Sequence, residues 1–169
     1  GPVRAFAVLP GNVLAVGGAF ATAGGIPANG IATWNRTSWQ ALGSGVTGGG
    51  VEGLVAAATG DLFVGGTFDH AGGVPASLVA RWNGTTWSSL GPGLTPMAPT
   101  LFAQPGVRGL ATMPNGDVVA IGGFQAAGAT PLSQAASWDG TAWTSLNLSL
   151  SVFGGATALT PTAGGVVVG

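Results

Sequence analysis

Few side chains in this sequence have the chemistry of a catalytic or metal-binding group. The chain contains five acidic residues, a single histidine and no cysteine. Asp69 and His70 form its only neighbouring acid–histidine pair. A general base would need a nucleophile, and a metal would need further ligands, which the surrounding loop residues do not supply. The pair therefore indicates a polar loop, and we expect no metal, no cofactor and no catalytic residue.

The remaining polar residues also fit structural positions better than catalytic ones. Asp61, Asp117 and Asp139 lie at expected hairpin tips, where aspartate commonly shapes the turn. Serine and threonine are plentiful, but no Gly-x-Ser-x-Gly nucleophile motif occurs. The double glycines are not a phosphate-binding loop, since the sequence contains no lysine. We therefore expect a protein that is not an enzyme.

Composition narrows the class of partner. Only 5% of the residues are charged and the net charge is −1, which argues against nucleic acid because such binding needs a basic surface. Glycine and proline interrupt every apolar run before it reaches the length of a membrane span. The 33 glycines are periodic and flank runs of valine, leucine, phenylalanine and tryptophan. This pattern favours tight turns between short strands.

A repeat organises the whole chain. Its first tryptophan recurs at Trp34, Trp82 and Trp138, which are 48 and 56 residues apart, and a period of this length is typical of propeller blades or solenoids. Each copy joins a double glycine to two tryptophans, and the twelve positions are Gly17, Gly18, Trp34, Trp39, Gly65, Gly66, Trp82, Trp87, Gly122, Gly123, Trp138 and Trp143. A fourth copy begins near Ala156, where Val166–Gly169 matches Leu62–Gly65.

The repeat predicts about three and a half units in one domain spanning residues 1–169. The unit boundaries are 3–50, 51–106 and 107–151, with a partial fourth unit at 152–169. Because the sequence starts at a unit boundary and stops inside a unit, we expect it to be part of a longer chain.

Each unit is expected to form four short antiparallel strands. The first is Val3–Leu9, Val51–Ala57 or Val107–Met113, and the second is Val13–Phe20, Leu62–Phe68 or Val118–Phe124. The third is Ile31–Trp34, Leu78–Trp82 or Ala135–Trp138, and the fourth is Ser38–Leu42, Thr86–Leu90 or Ala142–Leu146. Asn83–Gly84 predicts a two-residue hairpin, which would place Trp82 opposite Thr85 and both indoles on one face as diagonal neighbours. Arg36 replaces this glycine in unit one, so a different turn is expected there.

Two kinds of loop are expected on one face of the units. One follows the second strand, at Thr22–Asn29, Asp69–Ser77 and Gln125–Ser133. The other joins successive units, at Gly43–Gly50 and Gly91–Gly106. The second joint is eight residues longer and contains Leu101 and Phe102. It is either a tolerated surface insertion or a binding site, because exposed aromatic residues are unusual outside interfaces.

The combination of double glycine and paired tryptophans resembles the kelch motif of β-propellers over the whole chain. Trp stands where kelch repeats usually have tyrosine, and the turn is tighter. The sequence motifs are also similar to those in repeats of large secreted bacterial proteins and of the fungal cortical marker of cell polarity; these motifs are GG-x-F, AGG-x-P-A and W-N-G-T-x-W. The resemblance implies an all-β, kelch-like β-propeller segment of four-stranded antiparallel blades. It also implies a non-catalytic, extracellular or cell-surface role.

These observations give one expected function and two alternatives. The first is an interaction or scaffold module that binds a protein, a glycan or its own copies, with self-association completing the propeller. If it binds a partner, the first candidates are Asp69, His70, Leu101 and Phe102. The alternatives are a structural spacer or filament subunit, and a hydrolase whose acids come from several blades around a central channel.

Overall fold

The computed structural model describes residues 1–99, 104–146, 159–162 and 165–168. Within them the protein is all-β, and every strand pairing is antiparallel. The helical content of these residues is a single 3-10 turn at Pro10–Asn12. The predicted fold class, all-β with antiparallel sheets, is confirmed at this level.

The first unit forms a four-stranded sheet in which strands are adjacent in chain order. Its strands are β1 (Val3–Leu9), β2 (Val13–Gly18), β5 (Ile31–Trp34) and β6 (Trp39–Ala41). The loop between β2 and β5 contains the two-residue pair β3 (Thr22–Ala23) and β4 (Ile26–Pro27). The joint to the second unit contains β7 (Val46–Thr47).

The second unit repeats this arrangement. Its sheet consists of β8 (Val51–Ala56), β9 (Leu62–Gly66), β12 (Val79–Trp82) and β13 (Trp87–Ser89). The loop after β9 contains β10 (His70–Ala71) and β11 (Val74–Pro75). The joint to the third unit contains β14 (Thr95–Pro96).

The third unit has the same four-stranded core with a longer second strand. The core is β15 (Gly106–Thr112), β16 (Val118–Ala127), β18 (Ala135–Trp138) and β19 (Trp143–Ser145). The extension of β16 pairs with β14 and with β17 (Thr130–Pro131). The fourth unit contributes a hairpin of β20 (Leu159–Thr162) and β21 (Gly165–Val168).

A bulge interrupts the first strand of each complete unit at the same position. The register shifts between Val3 and Ala5, between Val51 and Gly53, and between Val107 and Gly109. The extra residue in each case is charged: Arg4, Glu52 and Arg108. These bulges bend the strand. Their common position allows the three units to be aligned residue for residue.

The tryptophan hairpin differs from its prediction. Trp82 pairs directly with Trp87, and the four residues Asn83–Thr86 lie between them. The predicted two-residue loop at Asn83–Gly84, with Trp82 opposite Thr85, is wrong. The side chain of Asn83 explains the register, because its Oδ1 accepts hydrogen bonds from the backbone N–H groups of Thr85 and Thr86 at 3.0 and 2.8 Å. This turn starts one residue before the glycine and moves the two indoles directly opposite each other.

Arg36 takes the same turn as its glycine counterpart. Its φ is +79°, compared with +97° at Gly84. Asn35 Oδ1 accepts the backbone N–H groups of Thr37 and Ser38, as Asn83 does in the second unit. The expectation of a different turn in unit one is therefore wrong, since the asparagine stabilises the turn in both units while arginine accepts a left-handed backbone.

The hydrophobic core lies between successive sheets. One cluster combines residues of the first and second sheets, including Ile31, Leu42 and Val64. A second cluster combines the second and third sheets, including Phe63 and Trp138. Buried aliphatic and aromatic side chains of neighbouring sheets thus hold each sheet against the next.

Candidate functional site

The loops expected on one face are hydrogen-bonded to each other. The joint strand β7 pairs with β10, placing Thr47 opposite His70, and β10 pairs in turn with β11. In the next unit, β14 pairs with the extension of β16. The joint before each of these units is therefore attached to the loop that follows the unit's second strand. We call the three-stranded part, Val46–Thr47, His70–Ala71 and Val74–Pro75, the loop sheet.

Asp69 and His70 both point into solvent at this loop sheet. Their side chains are 64% and 46% exposed, and Asp69 Oδ1 lies 2.8 Å from His70 Nδ1. The backbone of Asp69 is anchored, since its N–H donates to the carbonyl of Thr47 and its carbonyl accepts from Ala76 N–H. Its carboxylate lies over Gly48, where a β-carbon would collide with it. The structure thus presents one acid and one imidazole on a fixed backbone.

The other two predicted binding residues, Leu101 and Phe102, lie outside the described residues. The described part of the long joint is hydrogen-bonded to the preceding loop through both the backbone and the side chain of Ser77. The Leu94 N–H donates to the Ser77 carbonyl, and the Ser77 hydroxyl donates to the Leu94 carbonyl at 2.7 Å. The joint therefore leaves the second sheet along a fixed path.

The recurring double glycines make room for neighbouring groups of two different kinds. A β-carbon at Gly17 would collide with Val51 Cγ1 and lie 3.2 Å from Leu54 Cδ1, and Gly65 meets Val107 and Leu110 in the same way. The second glycine instead faces the neighbouring strand, where a β-carbon at Gly66 would collide with the Gly50 carbonyl. The first glycine thus receives side chains of the next sheet, and the second faces a backbone carbonyl.

The third unit departs from this pattern. Ile121 occupies the register position of Gly65, since it pairs with Gly109 as Gly65 pairs with Gly53. Ile121 is fully buried. The double glycine Gly122–Gly123 is displaced by one residue, so this sheet offers an isoleucine side chain where the first two sheets have no side chain.

The second tryptophan of each hairpin joins its sheet to the one before it. The indole Nε1 of Trp87 donates to the Leu42 carbonyl at 2.8 Å, and that of Trp143 donates to the Leu90 carbonyl at 3.1 Å. These two residues are only 8% and 4% exposed. Trp39 lies in the first of the described sheets and is half-buried. The paired rings of each hairpin lie 5.3–5.5 Å apart at a tilted angle.

Burial of the first tryptophan of each hairpin is uneven. Trp138 is buried, whereas Trp34 and Trp82 are half-buried. Of the two tryptophans in the second hairpin, only Trp87 is therefore buried between sheets.

Asp139 has the turn role that its position predicts. Its Oδ1 accepts hydrogen bonds from Thr141 N–H, Thr141 Oγ1 and Ala142 N–H. The Ala142 N–H and then the hydroxyl and N–H of Thr141 lower the pKa of this carboxyl below its ordinary value, because each donates to the charged form. Asp139 thus replaces the asparagine of the first two hairpins.

Asp61 and Glu52 are each paired with an arginine. Asp61 Oδ2 accepts from Thr59 Oγ1 and from Arg81 Nη2 at 2.8 and 2.9 Å, and the Arg4 guanidinium pairs with Glu52. Among the described residues no three acidic or histidine side chains are grouped so that they could hold a metal ion.

A cleft between the first two sheets was not anticipated from the sequence. It has a volume of about 510 Å³ and lies at the hairpin-tip end of the sheets. Its lining includes the half-buried Trp82 together with Thr33, Gln40, Thr59 and Asn83. The cleft therefore places a half-buried indole beside amide and hydroxyl groups. The repeat pattern alone could not distinguish Trp82 from the buried tryptophans.

No helix in the part of the chain that the structure describes is both long enough and apolar enough to span a bilayer. No protein-family model, curated protein or solved structure matches the chain.

Proposed function

We propose that the chain is a kelch-like β-propeller segment of about three and a half blades. The support is geometric: three sheets with strands adjacent in chain order are packed face to face by equivalent contacts. Such a segment needs further blades for closure, since propellers contain about four to eight.

We further propose that it is a non-catalytic interaction scaffold at the cell surface or outside the cell, binding a protein, a glycan or its own copies. One observation carries the proposal. Recurring glycines and tryptophans are used in contacts between strands and sheets, whereas the loops that differ between units present exposed side chains. Asp69 and His70 have Gln125 and Ala126 as their counterparts in unit three, because Ala76 and Leu132 donate equivalent hydrogen bonds to Asp69 and Gln125. Variable loops on a repeated frame are a common arrangement for binding sites.

The equivalence supplies a matched experiment. The double substitution Asp69→Gln and His70→Ala gives the second loop the residues that the third loop already accommodates. The wild type is screened on glycan and extracellular-protein arrays, and any hit is measured with the variant. We expect binding to fall at least about tenfold with an unchanged melting temperature. Binding that is retained in the folded variant rules out this loop pair as the site.

Absence of catalysis is part of the proposal and has its own test. A panel of hydrolase substrates is assayed with the wild type and with Asp69→Asn and His70→Ala. We expect no turnover above the uncatalysed rate. Turnover that both substitutions abolish would establish a hydrolase and overturn the proposal.

A further inference from the structure

The cleft between the first two sheets has an uncharged lining. Its volume of about 510 Å³ lies within the range of roughly 300–1,000 Å³ that is typical of small-ligand sites. Apolar side chains such as Leu9 and Leu42 line it together with the amides of Gln40 and Asn83 and the indole of Trp82, and none of the described lining residues is charged. A ligand that suits this lining is therefore neutral and has both an apolar surface and hydrogen-bonding groups.

Smaller side chains on the first sheet explain why this cleft is open. In the first sheet Ala15 pairs with Thr33, and the equivalent pair in the second sheet is Phe63 with Arg81. Residues paired across two strands share a face of the sheet. Ala15 packs into the cluster between the first and second sheets, and Phe63 packs into the cluster between the second and third. The first sheet thus offers alanine and threonine to its neighbour, where the second sheet offers phenylalanine and arginine.

The burial of the tryptophans that meet these two pairs differs accordingly. Trp138 belongs to the same cluster as Phe63 and is buried. Trp82 packs against the cluster that contains Ala15 and is half-buried. The ring of Trp82 is supported by Trp87, whose ring centroid lies 5.3 Å away. Part of the Trp82 indole is therefore left uncovered on a supported side chain, and this residue lines the cleft.

Asn83 supplies a hydrogen-bond donor of fixed orientation at the same cleft. Its Oδ1 accepts hydrogen bonds from the backbone N–H and the hydroxyl groups of both Thr85 and Thr86, which fixes the plane of the amide. Within the part of the chain that the structure describes, Asn83 Nδ2 donates to no protein atom, and the Gln40 side chain has no protein partner either. Both side chains are exposed. A donor that is already held in one orientation loses less conformational entropy when it binds a ligand.

We propose that this cleft binds a neutral oligosaccharide. The C–H face of a sugar ring packs on the indole of Trp82, which is a large apolar surface, and the sugar hydroxyls form hydrogen bonds with the amides of Gln40 and Asn83. Acidic and phosphorylated sugars fit less well, because no arginine, lysine or histidine occurs among the described residues of the lining. The inference rests on the proposed interaction function and names a glycan as the partner at this cleft.

Asn83→Asp tests the proposal without disturbing the turn, because the third hairpin already has Asp139 in this position. The carboxylate keeps the acceptor that forms the turn, removes the amide donor and adds a negative charge. Asn35→Asp is the matched control, since Asn35 forms the same turn in the first hairpin and does not line the cleft. The wild type is screened on an array of neutral and acidic oligosaccharides, and the neutral probe that binds most tightly is titrated by calorimetry. We expect Asn83→Asp to weaken binding at least about tenfold and Asn35→Asp to leave it unchanged.

A second pair of variants leaves the turn untouched. Gln40 pairs with Thr33 in the first sheet, as Ser88 pairs with Arg81 in the second. Gln40→Ser therefore gives an exposed position of the first sheet the residue that the second sheet already has there, and it should weaken binding of the same probe at least about threefold. The reciprocal substitution Ser88→Gln lies outside the cleft and should leave binding unchanged. Equal affinity of the wild type and either cleft variant, Asn83→Asp or Gln40→Ser, overturns the proposal.

The indole signals in a ¹H–¹⁵N spectrum locate the bound sugar. The signal of Trp82 should shift when the neutral probe is added, while that of the buried Trp138 should stay in place. A wild type that binds no neutral oligosaccharide, or that binds only peptides, overturns the proposal. Asp69→Gln with His70→Ala should leave the affinity for the probe unchanged. Loss of binding in that variant would assign the sugar to the loop sheet and overturn the cleft as its site, so the two proposals fail separately.

Discussion

Replacing Trp87 with alanine is expected to destabilise the protein by about 3–5 kcal/mol. The side chain is 8% exposed and packs into the cluster between the first and second sheets. A buried tryptophan removes roughly 200 Å² of surface from water, which corresponds to about 5 kcal/mol at 25 cal/mol per Å²; alanine keeps part of this. The lost hydrogen bond to Leu42 contributes about 1 kcal/mol, because that carbonyl also accepts from Gly45 N–H and is not left unpaired.

Trp39→Ala is the matched control in the same hairpin position. Trp39 is half-buried, so we expect a loss of roughly 1–2 kcal/mol. Trp87→Phe separates the contributions, since it keeps most of the buried ring and removes the indole donor. Its expected cost is about 1–2 kcal/mol.

Guanidinium unfolding followed by far-ultraviolet circular dichroism measures these differences. Intrinsic fluorescence is unsuitable because each substitution removes a fluorophore. The midpoint should shift at a constant slope if only stability changes. Equal losses for Trp87→Ala and Trp39→Ala, or a loss below about 1 kcal/mol for Trp87→Ala, would refute the interface account. Unchanged unfolding together with lost glycan binding would favour a sugar-stacking role instead.

Three further substitutions test particular contacts. Gly65→Val should destabilise the protein by at least about 2 kcal/mol, because the new side chain would collide with Val107. In a double-mutant cycle, Val107→Ala should restore part of the lost stability, and additive losses would contradict direct contact. Arg36→Gly should stabilise the protein by roughly 0.5–1 kcal/mol, because φ at this position is positive. Thermal unfolding measures the change, with the inverse substitution Gly84→Arg as the comparison. A destabilised Arg36→Gly variant would contradict the turn geometry. The pKa of the Asp139 carboxyl is lowered in the folded protein, so its charged form stabilises the fold above about pH 4, and this stabilisation is lost as the pH falls through the folded-state pKa. The difference in melting temperature between wild type and Asp139→Asn should therefore shrink on acidification. A difference that stays constant with pH would contradict this.

The repeat made the strands predictable, while the hairpin register depended on a side chain. The predicted and observed bounds of the strand Val3–Leu9 are the same, because turn residues follow it directly in the sequence. The Asn83–Gly84 signal favoured a two-residue loop. The Asn83 side chain instead accepts hydrogen bonds from the backbone N–H groups of Thr85 and Thr86. A pattern of residue types does not show which of several possible local hydrogen bonds forms.

The candidate site was predictable in position more than in composition. The sequence order of joints and loops placed them together, and β7 does pair with β10. The burial of individual tryptophans could not be predicted from the repeat, since Trp82 and Trp87 lie in one hairpin and only Trp87 is buried. Trp39 and Trp87 occupy identical repeat positions, but among the described residues only Trp87 donates its indole N–H to a neighbouring sheet's joint, at the Leu42 carbonyl.

Hydrogen exchange of the six tryptophan indole N–H groups, resolved in a ¹H–¹⁵N spectrum of dilute protein, tests the sheet-to-sheet contacts most directly. The account predicts that Trp87 and Trp143, which donate to Leu42 and Leu90 across the interfaces, exchange at least about 100-fold more slowly than Trp39. Equal exchange at all three residues would contradict the claim that each hairpin's second tryptophan fastens its sheet to the one before it.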